Sequence, residues 1–318
     1  MTTITAHRAT RFLGAVLIAV ACWASVACWA SPATAAESAV TVTSLSAGLE
    51  LPATLLRPDG PGPFPAIVIA HDCSGLGGRS SGGPRRWATE LLAQGYVILM
   101  PDSFSPRGMP DGVCTRPGGA RDATPTIRAT DMYGALALLR SLPVVDGARI
   151  GLMGASHGGA TAMASMVEPD VLDPLTAAKR QSFAAAIALY PSCGNRYGTW
   201  VPRRDQGVPG PVTSYEGTYR PLAPVLILTG AEDDWTPAEH CARLARTSAA
   251  AGLPVAIKVY PDAHHAFDSA ARHRYVAERN NQFAPSGRGA TTAGNSVAWA
   301  AAREEVARFF AERLKQGR

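Results

Sequence analysis

No segment of the 318-residue chain concentrates charge of one sign: charged side chains are only 17% of the total, and the net charge of +5 is spread along the sequence. A nucleic-acid partner would call for a clustered basic patch, so that class is excluded. The cysteines and histidines fall into none of the paired spacings that hold zinc, and no metal or other cofactor is expected. No internal repeat and no linker divides the chain beyond its first residues. Long hydrophobic runs are missing too, except at residues 12–30. Disorder does not fit what remains, since 47% of the residues are hydrophobic and the length suffices for a sizeable core.

The one long apolar run follows His7, Arg8 and Arg11 and ends near Ala33-Thr34-Ala35-Ala36, a small-residue cleavage site. Residues 1–36 therefore read as a signal peptide, with the mature protein secreted or periplasmic and holding no stable membrane association after cleavage. A retained transmembrane anchor fits the length of the run but not its small-residue end. A lipoprotein signal would need a bulky residue three before a cysteine, where Cys22 and Cys28 have Ala19 and Ser25. Export leaves Cys73, Cys114, Cys193 and Cys241 in an oxidising compartment, where two disulfides in any of three pairings are open to them.

Residues 37–318 are expected to form one α/β domain. Loose alternation over 40–45 and 49–57 predicts an antiparallel hairpin at a sheet edge. Short runs at 66–70, 96–100, 184–190, 225–229 and 255–260 predict strands, the first apolar enough to be buried on both faces. Between them 85–94, 126–140 and 237–251 predict helices, and Trp299, Ala302, Val306, Phe309 and Leu314 mark the stripe of a terminal helix. Such alternation implies right-handed crossovers and a mostly parallel sheet with helices on both faces. Residues 103–122 and 268–294 read as loops. The Pro/Gly-rich excursion after residue 190, with Tyr197, Trp200, Tyr215 and Tyr219, reads either as a lid or pocket wall over 194–221 or as a surface loop with a few aromatics packed down.

The chain is organised around Ser156. Arg149 to Ala160 reads as an apolar strand, a tight Gly154-x-Ser156-x-Gly158 turn and the start of a small-residue helix, the pattern of a nucleophile elbow. A Cβ at 154 or 158 would collide with a neighbouring strand or helix, and the amide of His157 at the helix N-terminus would face a developing oxyanion. The plain alternative is a glycine-rich strand-to-helix turn found in any α/β protein. A serine nucleophile also needs a base and an orienting carboxylate. Both follow in the order Ser, Asp, His, each just past a strand: Gly230-Ala231-Glu232-Asp233-Asp234-Trp235-Thr236-Pro237 and Tyr260-Pro261-Asp262-Ala263-His264-His265-Ala266-Phe267. Three correctly ordered strand ends are far harder to obtain by chance than one motif.

Together with Gly154-Ala155-Ser156-His157-Gly158-Gly159, these segments resemble the dienelactone hydrolase-like branch of the α/β-hydrolases. The resemblance runs from about Leu49 to the terminal helix and includes His71-Asp72-Cys73-Ser74-Gly75-Leu76 and Pro101-Asp102-Ser103-Phe104. It implies an α/β-hydrolase fold in which Ser156 is the nucleophile, His265 the base and Asp233 the acid, with the amides of Cys73 and His157 as oxyanion hole. Asp233 stands three residues after Gly230 and four before Pro237, the spacing of that family, which leaves Asp234 to cap the following helix. Dienelactone hydrolase proper has a cysteine nucleophile where this chain has Ser156, which puts its namesake lactone in doubt as the substrate. The expected reaction is hydrolysis of a small-molecule carboxylic ester or lactone through an acyl-enzyme. An exported serine peptidase, a polyester hydrolase and a non-catalytic binding protein on the same scaffold are the alternatives.

Several neighbours carry two readings each. His264 beside His265 suggests a metal pair, but adjacent side chains in an extended segment point apart, which favours one catalytic and one incidental histidine. His71 and Asp72 shape the oxyanion turn, or Asp72 tunes the nucleophile. His157 contributes its backbone while its ring lines the pocket, and Trp235 is either core or pocket rim. The predicted bridges are Cys73 to Cys114, joining loops after adjacent strands, and Cys193 to Cys241, tying the excursion to the helix after the acid loop.

Overall fold

A computed structural model of the chain describes residues 1–3, 36–46, 48–117, 119–169, 173, 175–204 and 212–316. The predicted signal peptide therefore lies outside the described residues over 4–35. From residue 36 the order is β1 (Ala36–Thr43), β2 (Glu50–Arg57), β3 (Phe64–Ala70), α1 (Gly83–Ala93), β4 (Val97–Pro101), α2 (Pro125–Ser141), β5 (Val145–Ala155), α3 (His157–Met166), α4 (Thr176–Lys179) and β6 (Ala185–Leu189). It continues with β7 (Val201–Arg204), β8 (Val212–Glu216), β9 (Val225–Gly230), α5 (Ala238–Ala250), β10 (Val255–Tyr260), β11 (Arg274–Asn280), β12 (Arg288–Thr292) and α6 (Ser296–Leu314).

Eight strands form one sheet in the order β1-β2-β4-β3-β5-β6-β9-β10. The hairpin β1–β2 is antiparallel and β2 joins β4 antiparallel, while β4 through β10 are parallel. Period-two alternation divides each central strand between two cores. Ala66, Val68 and Ala70 of β3 face Met132, Leu136 and Leu139 of α2 and the small residues of α3, with α5 further along the same side. Ile67 and Ile69 face Trp87 and Leu91 of α1 and Val306, Phe310 and Leu314 of α6 on the other. The central strands are apolar throughout because neither face meets water.

From β3 the chain steps outward to β4 and then crosses back past β3 to β5. Connections leave β3 and β4 on opposite faces, so a crevice opens at the carboxyl ends of β3 and β5, the usual place for a ligand in such sheets. The elbow lies there.

Two predicted loops contain strands. Residues 268–294 fold back as the antiparallel pair β11–β12, and the excursion after β6 carries the pair β7–β8. Neither was readable as strand, because β11 is largely exposed and charged and β7 begins Val-Pro-Arg-Arg. Within the excursion Tyr197, Trp200 and Tyr219 are buried, with the Tyr219 hydroxyl donating to the Met163 carbonyl at 3.0 Å, while Ser192 and Asn195 line a cleft. The described residues of 103–122 are irregular apart from short helical turns at Ser105–Arg107 and Arg121–Ala123, and Phe104, Met109 and Val113 fold inward as a small separate core.

Disulfides join Cys73 to Cys114 and Cys193 to Cys241, the pairing expected. No helix among the described residues is long and apolar enough to cross a membrane.

Candidate active site

Ser156 sits between β5 and α3 with φ 54° and ψ −116°, a conformation that a residue with a side chain holds only when its surroundings impose it. The surroundings are tight. A Cβ on Gly154 would come within 2.2 Å of the Gly158 carbonyl oxygen, and a Cβ on Gly158 within 2.0 Å of the Ala70 carbonyl oxygen at the end of β3. Glycine at both positions lets α3 start against the sheet and turns the serine hydroxyl out over its edge.

There the three strand ends meet. Ser156 Oγ lies 2.9 Å from His265 Nε2, and His265 Nδ1 lies 2.8 Å from Asp233 Oδ2. All three residues are buried. Asp233 Oδ1 accepts the backbone N–H groups of Trp235 and Thr236 at 2.9 and 2.8 Å, which holds the carboxylate still. The imidazole packs between Tyr190 and Trp235, ring centroids 4.6 and 4.7 Å away. Tyr190 is fixed in turn, because its hydroxyl donates to Asp268 at 2.7 Å and Trp87 Nε1 donates to the same carboxylate at 2.7 Å. Burial raises the Asp268 pKa and, with Asp268 nearby, lifts that of the Tyr190 phenol well above its ordinary value.

Cys73 follows β3 and His157 opens α3, and both border the space beside Ser156. Amides in the first turn of a helix have no intrahelical acceptor, which leaves that of His157 available to a ligand. The His157 ring is held from α2. Its Nδ1 accepts from Arg128 at 2.8 Å, and burial, with Arg128 beside it, holds its pKa down to about 3, so the ring is neutral. His71 is neutral for the same two reasons. Its Nδ1–H donates to the Asp72 carbonyl at 2.8 Å and its Nε2 accepts the Ser103 N–H at 3.1 Å. The Asp72 carboxylate is taken up by Ser74 and Ser81. His71 and Asp72 thus shape the turn that presents Cys73.

Ser156 lies at the junction of two arms of a cleft. A wider arm of about 700 Å³ carries Arg272, Arg274 and Arg279 from the β11–β12 side, and a narrower one of about 430 Å³ is walled by Val113, Pro125, Ala160 and Asn195. Trp235 borders both, which places it at the rim, with the Arg279 guanidinium 4.7 Å from its ring centre. His264 points away: its Nδ1 pairs with the Glu232 carbonyl at 2.9 Å and its half-buried ring meets His273. Asp234 does not cap α5. Its carboxylate accepts the backbone N–H and hydroxyl of Thr291 at 2.8 and 2.7 Å, binding the acid loop to β12, because the turn ahead of α5 aims the Asp233 side chain, not its neighbour's, back at the local amides.

The model of the dienelactone hydrolase family matches residues 51–286, well over half of the chain. The chain belongs to this family. It is a hydrolase acting on ester bonds. A Yersinia pestis protein given the provisional name carboxymethylenebutenolidase is 27% identical over 241 residues, which cover 73% of this chain and 80% of that one. Among solved structures, a thermophilic esterase from Thermogutta terrifontis superposes with a TM-score of 0.59 at 18% identity, over 86% of this chain and 92% of that one. A dienelactone hydrolase-like promiscuous phosphotriesterase from metagenomic libraries gives 0.57 at 16% identity, over 87% and 99%. At these identities the two structures speak for the fold alone.

Two residues of this dienelactone hydrolase-family site went unread in the sequence. Thr236 Oγ1 lies 2.9 Å from Asp233 Oδ2 and 3.0 Å from both His265 Nδ1 and the Tyr190 carbonyl oxygen. Its signal was a hydroxyl three residues beyond the acid, where a turn folds side chains back on the loop. Arg128 is fully buried in α2 and donates to the His71 carbonyl at 2.9 Å as well as to His157, so one guanidinium ties together the two segments that bear the Cys73 and His157 amides. Burial lowers its pKa to about 10, partly offset by Asp131 and Asp72, and it stays cationic. It extends the helical stripe of Met132, Leu136 and Leu139 by one turn, and a lone arginine on an apolar stripe was the available sign.

Proposed function

We propose that this protein is an exported serine hydrolase that cleaves carboxylic esters or lactones of small molecules through an acyl-enzyme. The observation that carries this reading is the pair of contacts about His265, 2.9 Å to Ser156 Oγ on one ring nitrogen and 2.8 Å to Asp233 on the other. His265 Nδ1–H donates to the carboxylate, which leaves Nε2 free to take the Ser156 proton. The alkoxide attacks the substrate carbonyl, and the amides of Cys73 and His157 receive the oxyanion. His265 then protonates the leaving alcohol. Water, deprotonated by the same nitrogen, releases the acid and restores the serine. Asp233 keeps the imidazole in the required tautomer and stabilises the imidazolium. Export is supported by the two disulfides.

The test is turnover of p-nitrophenyl esters of increasing acyl length by the mature protein beside Ser156→Ala. Loss of the nucleophile should lower kcat by at least ~10³-fold in a protein that still folds, and fluorophosphonate labelling should vanish with it. Label retained at a different serine would overturn the assignment. N-terminal sequencing of the exported protein and peptide mapping without reduction check the compartment.

A further inference from the structure

The two disulfides lie in different surroundings. Cys193 and Cys241 are sealed in the core among Met163, Tyr197 and Trp200, 1% and 0% exposed. Cys73 and Cys114 are only partly buried and border both arms of the cleft on either side of Ser156. A small reductant therefore meets the second pair first.

Cys73 is fixed on one side by β3, but the segment that carries Cys114 has little structure of its own. That segment closes over Cys73 as a sleeve: the Val113 N–H donates to the Cys73 carbonyl at 2.7 Å, and a Cβ on Gly112 would lie 2.5 Å from the same oxygen. Beyond the bridge, the Cys114 carbonyl accepts the Asn280 N–H at 2.9 Å, and the Asn280 carbonyl accepts Trp235 Nε1–H at 2.7 Å. The bridge thus links the Cys73 turn to the acid loop across the mouth of the cleft. An oxyanion donor acts only when it is held within a few tenths of an ångström of the developing charge.

We propose that Cys114 is a positioning residue for ester hydrolysis, holding the Cys73 amide in register with Ser156 through the disulfide, so that a dithiol entering the cleft turns the enzyme down by opening this bridge alone. The proposal rests on the reading of Cys73 as an oxyanion donor. In the chemical step a dithiol thiolate attacks one sulfur and the Cys73–Cys114 bond breaks. The mixed disulfide then closes on the second thiol of the reductant, which leaves as a cyclic disulfide, and two cysteine thiols remain.

The experiment titrates the mature protein with dithiothreitol, measuring kcat and KM at each step while aliquots are alkylated and mapped. Cys73 and Cys114 should appear as thiols before Cys193 and Cys241. At that stage kcat should fall at least ~10-fold, KM should change less than ~3-fold, the thermal transition should persist, and reoxidation should restore turnover. Cys114→Ser should reproduce the reduced enzyme and ignore dithiothreitol. Full kcat with the Cys73–Cys114 bridge open, a rise in KM alone, or loss of the thermal transition in both the reduced protein and Cys114→Ser would each overturn the proposal. Fluorophosphonate separates it from the reading beneath it. No label on Ser156 of the oxidised protein refutes the serine nucleophile, whereas equal labelling rates in the oxidised and reduced forms refute the role of the bridge alone.

Discussion

Asp233 Oδ2 stands 2.8 Å from His265 Nδ1, while the carboxylate of Asp234, one residue on, holds Thr291 at 2.7 and 2.8 Å. Two adjacent acids thus serve opposite sides of one loop. Asp233→Asn should lower kcat by at least ~10²-fold, because an amide no longer stabilises the imidazolium or enforces its tautomer. Asp234→Asn should leave kcat within ~3-fold and cost about 1 kcal/mol of stability as the tie to β12 weakens. Kinetics and thermal unfolding of both variants give the answer, and the reverse pattern would show that the roles are exchanged.

Thr236 has one hydroxyl proton to share between the Asp233 carboxylate and the Tyr190 carbonyl. Thr236→Val keeps its shape and removes the hydroxyl, leaving Asp233 with two donors from the loop backbone. The expected result is a ~3- to 10-fold lower kcat with KM little changed, together with about 1 kcal/mol of lost stability. Unchanged kcat would make the hydroxyl a support for the loop and nothing more.

Arg128 holds the His71 carbonyl and the His157 ring with separate guanidinium nitrogens. A lysine presents a single nitrogen and cannot span both acceptors. Arg128→Lys should therefore cost about 1.5–3 kcal/mol of stability, the range for a hydrogen bond to a charged group. It should also lower kcat more than it raises KM, since both amides lose their common brace. Steady-state kinetics with a thermal melt would show it, and a stability loss with full kcat would make Arg128 a packing residue only.

The neutral His157 predicts a pH dependence of stability. Its pKa is about 3 in the folded protein and near 6.5 when unfolded, so between those values the unfolded chain binds the extra proton. Stability from this group is present above about pH 6.5 and lost as the pH falls toward about 3. His71, also held well below its ordinary value, adds in the same direction. His157→Gln keeps an acceptor for Arg128 and removes the titration. Its free energy of unfolding should fall less steeply than that of the parent between pH 6.5 and 4, and parallel slopes in denaturant titrations would refute the assignment.

Much of this site was legible because its determinants are local. Gly154 is set by backbone approach within its own turn and Gly158 by the facing end of β3, and Ser156, Asp233 and His265 each end a strand whose apolar run is visible in the sequence. The alternation of strands and helices dictated the parallel sheet, since each central strand must bury both faces. The pairing of Cys73 with Cys114 was read from loops after adjacent strands, and that of Cys193 with Cys241 from the base of the excursion and the helix after the acid loop.

Other parts were decided only by the tertiary structure. The strands β11 and β12 have no apolar run, and Tyr275 on β11 is 60% exposed. They are held by side chains reaching main chain far away, Asp234 to Thr291 and Asn281 Nδ2 to the carbonyl of Asp234. Burial leaves a periodic trace in a sequence, because it repeats with the turn of a helix or the pleat of a strand. A hydrogen bond between segments dozens of residues apart leaves none. For that reason the division of labour between Asp233 and Asp234, the clasp of Arg128 behind the Cys73 and His157 amides, and the arginine-bearing wall of the cleft came from the three-dimensional structure alone.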